Sequence, residues 1–447
     1  MKLQKVICLV VVAVFALAAC TSKPAATAEA PAAGAEETSA PEAAVTENPA
    51  AESSSEPVEV TFWYPYGEGS WTGDFLAQKI ADFNSQNPAI IVKGQSYADY
   101  ASIIEAVQRG AAGNNLPSIA TIGFGYDDYI IDSGLAYPFN DFLGNDATDF
   151  LGDFFPTLLS VSTREGKIYG IPLALSVAEV FYHPDLFEQA GLDPNSPPQT
   201  WDELVAASKT IHDKLGIYGA TFALDDPWIF ETAVRSNGGS FISEDGKSAT
   251  LTSDAAVKIL TDWGDGAVNG DFLYNADFMQ SLQSFGEKQV AMFAVSSYGT
   301  VYYHESAPTV KAIAFPAGEG YTLQSPAGGN SLYLLGNNDA EREAAAKFIV
   351  YLTEPDANAE WAINSGYLPT RSSSLTALGD FTKDFDNFDL AVKTIDNVVA
   401  PTQWPSRHVL QINQIIMQAI ETAMLGQGTA EAALTEANDQ INALMAQ

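Results

Sequence analysis

Four histidines are the first residues to weigh for metal binding or proton transfer. His183, His212, His304 and His408 lie too far apart in the chain to share a zinc-binding helix face. The Gly-x-Ser-x-Gly elbow of a serine hydrolase does not occur. Gly246-Lys247-Ser248 ends like a phosphate loop, but the required first glycine falls on Phe241. Asp384, Asp386 and Asp389 lack the glycine and closing glutamate of a calcium loop. Adjacent carboxylates such as Asp225 and Asp226 could serve glycoside hydrolysis, yet in a chain with 56 acidic residues such pairs say little. No catalytic residue, metal ligand or cofactor is therefore expected. Aromatic residues carry the more telling chemistry. Trp63, Tyr64 and Tyr66 stand where an apolar run meets the glycine-rich turn 67–69. A ring at such a place offers a flat face to the C–H surface of a sugar and, from tyrosine, a hydroxyl. The alternative is that Trp63 belongs to the core and only one tyrosine is exposed.

The elements that must position these rings alternate. Residues 59–64 are apolar and β-prone, and Leu76, Ile80 and Phe83 mark one face of a following helix that Asn87-Pro88 stops. Residues 90–92 read as a strand, Ile103, Val107 and Ala111 as a helix ended at Gly113-Asn114, and 117–122 as a third strand. This order predicts an α/β fold, a parallel sheet with helices on both faces, whose ligands sit at the carboxyl ends of its strands. The body from 58 to 447 exceeds one comfortable core, so two lobes are expected. Toward the C-terminus, three helices are predicted by stripes at Ala344, Phe348 and Tyr351, at Ile412, Ile416 and Ile420, and at Leu434, Ala437 and Ile441.

The first twenty residues address the chain. Lys2 and Lys5 precede an apolar run, 6–17, that is shorter than the about 20 residues spanning a bilayer, as in a signal peptide. Leu17-Ala18-Ala19-Cys20 resembles the lipobox of bacterial lipoproteins, which implies that the Cys20 thiol is diacylated and becomes the mature N-terminus. The only other cysteine, Cys8, falls inside the removed segment, so the mature chain has no internal disulfide to form. Residues 21–57 hold five prolines, seven glutamates and one lysine, with almost no large apolar side chain. Such a composition cannot offset the entropy of ordering, and it predicts a disordered tether with a reach of about 35 Å. The tether carries −6 of formal charge and the signal +2, leaving −31 of the chain's −35 on the body. That field disfavours nucleic acid and anionic lipid surfaces as partners.

Three neighbouring stretches, GKIYGIPLALS (166–176), VFYHPDLFEQAGLD (180–193) and PPQTWDELV (197–205), resemble extracellular solute-binding protein family 1 of ABC importers. VAMFAVSSYG (290–299), PAGGNSLYLL (326–335) and AAKFIVYLTEPDANAEWAINSGYLPTR (345–371) continue the match in order, so it spans essentially all of 58–447. The resemblance implies a class II periplasmic-binding-protein-like fold, with two α/β lobes, a ligand cleft between them and three hinge crossovers that let them close over a solute. Lobe 1 is expected at 58–172 plus 334–370, and lobe 2 at 173–333 plus 371–447. Residues 168–176 read as an extended crossing segment. Thr200 and Glu203 form a capping box that leaves Trp201 structural.

Within the family, the pattern is most similar to the glycerol-3-phosphate-binding group, and each pocket position implied by that likeness has its own alternative. Tyr97 matches a ligand-contacting tyrosine or is a rim residue. Ser176 matches a hydroxyl donor or closes a turn. Trp228 resembles a stacking tryptophan, with Phe230 as its rival. Ser296 and Ser297 follow a strand and either cap a helix or help aim its N–H groups at an anion. Gly328 and Gly329, followed by Asn330, resemble paired glycines whose N–H groups receive phosphate, although a hinge would also select glycine. Tyr367 matches a binding tyrosine. Arg407 either grips a phosphate dianion through its planar fork or forms a surface ion pair. Phe124 stands where the group carries a glutamate for glycerol hydroxyls; it removes an acceptor, adds a stacking face and favours a sugar ring. The expected protein is an exported, membrane-anchored monomer that captures a carbohydrate or glycerol-phosphate solute and hands it to an ABC permease. The alternatives are a lipid-anchored carbohydrate-active enzyme and a sensory or adhesive lipoprotein.

Overall fold

The computed structural model describes residues 56–144, 147–379 and 381–447, so the signal peptide, Cys20 and nearly all of the tether lie outside the described residues. In the body, Val58–Tyr64 pairs in parallel with Ile90–Ser96 on one side and Ile119–Gly123 on the other, as the alternating pattern requires. Two later strands complete this sheet. Gly328–Leu334 runs antiparallel between Ile119–Gly123 and Gly170–Ser176, because it enters from the opposite direction.

Alternation along the central strand feeds two layers. Phe62 meets Phe348 of the helix Asp339–Thr353, ring centroids 5.6 Å apart, and Phe83 of the helix Trp71–Gln86 closes on the same ring at 5.0 Å. Trp63 points the other way, into a core that holds Ile103 and Val107 of the helix Tyr100–Gly113. Both helices begin with a side chain that accepts from an otherwise unpaired N–H: Ser70 from Gly73 and Asp99 from Ser102.

The second sheet has the order Lys311–Ala314, Ala178–Tyr182, Val290–Ser296, Tyr218–Phe222, Phe272–Leu273. Its core is aromatic, with Phe222 stacked on Trp263 at 4.4 Å and Trp201 fully buried just inside the expected capping box of Thr200 and Glu203. The helices Asp254–Asn269, Val409–Met424 and Ala430–Met445 pack together around it.

Three passages of chain join the sheets. Val177 alone separates Gly170–Ser176 from Ala178–Tyr182; a return runs between Lys311–Ala314 and Gly328–Leu334; a third leads from the helix Pro355–Ser365 to Val409–Met424. Hydrogen bonds tie these passages together. The Val177 N–H donates to Ser297 Oγ at 3.2 Å, the Ser297 N–H returns to the Val177 carbonyl at 2.8 Å, and the Ala178 N–H donates to Ser325 Oγ at 3.0 Å. Ser325–Pro326 in turn pairs with Val398–Val399. Gly170–Ser176 and Gly328–Leu334 belong whole to the first sheet, so the crossings come at Val177 and just before Gly328 rather than at 172/173 and 333/334. Residues 171–182, Ser176 and Glu179 included, are buried on both sides of the hinge, so no exposed stretch marks it. Among the described residues, no helix is long and apolar enough to cross a membrane.

Candidate ligand-binding site

A cavity of about 270 Å³ opens between the two sheets. Its walls are built where strands end. Phe124 and Tyr126 follow Ile119–Gly123, Ser176 ends Gly170–Ser176, Asp225 and Asp226 follow Tyr218–Phe222, and Ser296 ends Val290–Ser296. This is the position at which open α/β sheets hold ligands, since the chain turns away there and leaves a crevice. The lining contains nine aromatic side chains, three carboxylates and, among the described residues, no lysine, arginine or histidine. Wide apolar faces with a few polar groups suit a molecule that is itself flat on one side and rich in hydroxyls.

Two glycines seat two of the rings. A Cβ on Gly328 would lie 2.3 Å from Ser176 Oγ and 2.8 Å from the Trp228 ring, and one on Gly123 would lie 2.7 Å from the Tyr100 ring. Trp228 is held further by its indole N–H, which donates to the Pro326 carbonyl at 3.0 Å. Behind the wall, Asn330 is fully buried and donates through Nδ2 to the hydroxyls of Tyr66, at 2.7 Å, and Tyr100, at 2.8 Å. Tyr367 closes this group with its hydroxyl 3.4 Å from that of Tyr100. Burial pushes the phenols of Tyr100 and Tyr367 above their ordinary range and that of Tyr298 up to about 12, so all three present intact O–H groups at neutral pH.

The carboxylates are not equivalent. Glu231 is engaged through one oxygen: its Oε1 accepts from Arg235 Nε at 2.7 Å and from the Thr402 N–H and hydroxyl at 2.9 and 2.8 Å. Asp226 accepts from the Trp228 N–H at 2.8 Å, and burial, followed by the neighbouring Asp225 charge, pushes its carboxyl up to about 7. Asp225 reaches the water of the cleft but stands deep between the lobes; desolvation there, with like charge from Asp99 and Asp277, raises its pKa as well.

Seven sequence-predicted site residues meet in this cavity: Phe124, Ser176, Trp228, Ser296, Gly328, Gly329 and Tyr367. Of the rivals Trp228 and Phe230, only Trp228 lines it, because Phe230 is spent against Trp263 and Phe241 in the core. Tyr66 and Asn330 lie one layer behind the wall. Trp63 and Tyr64 are core residues, and Tyr97 packs its ring on Trp63 at 5.2 Å while its hydroxyl accepts from Gln95 at 2.9 Å. Ser297 serves the hinge instead of the ligand. Ser296 accepts from the Tyr298 N–H at 3.1 Å, one step short of capping the helix Gly299–Ser306. Arg407 is exposed and lines a separate surface depression with Asp128 and Asp132, since the turn at Pro405 and Ser406 carries it outward after Trp404 has entered the cavity. Sequence reasoning missed Tyr100, Tyr126, Tyr298 and Trp404. It set aside Asp225 and Asp226, although their place between a strand and Pro227-Trp228 was a usable signal.

Residues 78–388 match the family described as bacterial extracellular solute-binding protein. The chain belongs to that family. Membership makes it a binding component rather than a catalyst. A Brucella abortus protein named as a binding protein is 27% identical over 397 residues, covering 84% of this chain and 90% of its own length. The sn-glycerol-3-phosphate-binding periplasmic protein of Escherichia coli is 26% identical over 411 residues, covering 86% and 92%. Among solved structures, the cyclic alpha-maltosyl-1,6-maltose binding protein of Arthrobacter globiformis is 25% identical and superposes with a TM-score of 0.72, covering 87% of this binding protein and 99% of its own chain. The Mycobacterium tuberculosis UgpB complex with glycerophosphocholine shares the fold at 20% identity with a TM-score of 0.78, covering 88% and 99%.

Proposed function

We propose that this binding protein captures a carbohydrate between its lobes by hinge closure and delivers it to an ABC permease while Cys20 holds it to the membrane as a lipid anchor. The observation that carries this reading is the composition of the interlobe cavity: rings from both lobes, hydroxyls among them, and no cation among the described lining residues. Phe124, Tyr100, Tyr126 and Tyr367 come from the first lobe, and Trp228, Tyr298 and Trp404 from the second, so stacking on both faces of a sugar is complete only when the lobes meet. Relatives named for sugars and for glycerol 3-phosphate support a hydroxyl-rich solute. The choice between them rests on Arg407, the cation that a phosphate would need, which lies outside the cavity.

The test is a thermal-shift screen of the full chain carrying Cys20→Ser, against sugars, sugar phosphates, glycerol 3-phosphate and glycerophosphodiesters. A ligand at about 100 times its Kd adds roughly 2.7 kcal/mol of stability, which moves the melting temperature measurably. A sugar that raises it supports the reading. A shift with glycerol 3-phosphate alone, or with nothing in the screen, overturns it.

A further inference from the structure

The cavity does not end at its aromatic walls. On the side of Tyr126 and Asp226 it continues into a second depression between the lobes, lined by Glu105 from the first lobe and Glu421 from the second, again with no lysine, arginine or histidine among the described lining residues. Negative charge therefore faces negative charge across the cleft.

Three of the carboxylates around this channel occupy helix N-termini. Asp99 accepts from the Ser102 N–H at 2.7 Å, Asp226 from the Trp228 N–H at 2.8 Å and Asp277 from the Gln280 N–H at 2.8 Å. Exposed helix N-termini would attract a phosphate; here the protein's own carboxylates hold those positions and the cleft repels anions instead. Asp225 lies among them, and the like charges of Asp99 on the opposite lobe and of Asp277 act on it. Among the described residues, Asp99, Asp225, Asp226, Asp277 and Glu421 form no ion pair.

We infer that the cleft selects a carbohydrate bearing a basic nitrogen, such as an amino sugar or an oligosaccharide with a ring or bridging amine, over its neutral and phosphorylated counterparts, and that Asp225 reads the charge. This rests on the carbohydrate reading above. An ammonium group between Asp225 and Asp226 neutralises charge that lobe closure otherwise concentrates, so it binds the closed state in preference to the open one. The rings of Trp228, Tyr100 and Tyr126 add cation–π attraction to the same group.

The groups that set the local charge come from both lobes. From the first, Tyr126 and Glu105, whose exposed partner is Arg109, line the channel, Tyr100 lines the cavity beside it, and the charge of Asp99 acts on Asp225. From the second come Glu231 with Arg235, Asp277, Tyr274 and Glu421. Burial and like charge raise both carboxyls of the Asp225 and Asp226 pair, so the pair takes on its full negative charge only above the ordinary carboxylate range.

Calorimetry on matched ligand pairs tests the inference, using glucosamine against glucose and glucose 6-phosphate, the fully deacetylated chitosan dimer against cellobiose, and acarbose against maltotetraose. The amine-bearing member is expected to bind about tenfold or more tightly in any pair that binds. Added salt should weaken that member more than its neutral partner. Asp225→Asn should lower the ratio of the two affinities severalfold, as expected when one of the two carboxylates flanking the ammonium is removed; an unchanged ratio would overturn the role given to Asp225. A neutral or phosphorylated member that binds as tightly as its amine counterpart overturns this inference and leaves the carbohydrate reading standing. If no sugar of either kind binds, the carbohydrate reading falls and takes this inference with it.

Discussion

At the scale of single residues, Trp228 and Arg407 separate the two ligand chemistries that the sequence left open. Trp228 is braced by Pro326 and sits against Gly328 in the cavity wall, whereas Arg407 is exposed on another face. Trp228→Ala is expected to weaken solute binding about tenfold or more by calorimetry, since a lost stacking face of about 1.4 kcal/mol already amounts to that factor. Arg407→Ala should leave the affinity unchanged; a loss comparable to that of Trp228→Ala would mean that the solute reaches the outer depression. Glu179 offers a different measurement. It is fully buried opposite Val295 and Ala314, neither carboxyl oxygen has a hydrogen-bond partner among the described residues, and burial holds its pKa well above the ordinary 4.5. The folded chain therefore keeps a proton that the unfolded chain gives up, and stability falls as pH rises above about 4.5. Glu179→Gln removes this dependence. Its melting temperature should exceed that of the parent at pH 8, with the gain shrinking to nothing below about pH 4.5. Equal melting temperatures across that range would show that the carboxyl is not held neutral.

At the scale of elements, the hinge strands are where local chemistry and long-range packing meet. Gly329 has φ near +107°, and a Cβ there would lie 2.2 Å from the Ala174 carbonyl oxygen of the paired strand. Glycine is needed at 329 for backbone reasons, in a strand whose Gly328 and Gly329 stand in register with Ser176 and Leu175. Gly329→Ala should cost about 2 kcal/mol or more in denaturant unfolding, and a cost near zero would show that the strands separate there easily. Most elements were legible in the chain itself. The stripe of Leu76, Ile80 and Phe83, the capping box of Thr200 and the stop at Asn87 depend on neighbours within a few residues, and all three are found as expected. The strand Gly328–Leu334 was not legible as part of the first sheet, since its partners lie about 150 and 200 positions earlier in the chain.

At the scale of the whole molecule, the two-lobed body and the proposed anchor at Cys20 would together make a carrier that works repeatedly near one membrane. An anchored tether, as proposed, would hold the binding protein at high local concentration beside a permease without adding any contact. Cys20→Ser is expected to release a protein that binds its solute normally but supports uptake poorly, measured as accumulation of labelled solute by intact cells. Undiminished uptake would remove the anchor from the mechanism.

Sequence by itself determined the class: the alternating strands and helices, the export signal, the absence of recognisable catalytic motifs and the family likeness are written in local runs of residues. It also named seven residues of the cavity wall; Phe124, Ser176, Trp228 and Ser296 among them lie at or next to strand and helix ends, where position in the chain already predicts position in the crevice. Only the tertiary structure decided which rings face the cavity and which fill the core. Trp63 and Phe230 have the same chemistry as Trp228, and burial alone distinguishes them. The sign of the cleft's charge was likewise invisible along the chain. Asp99 and Asp225 are 126 residues apart in sequence, and the charge of Asp99 acts on Asp225 because the fold brings both to the same cleft.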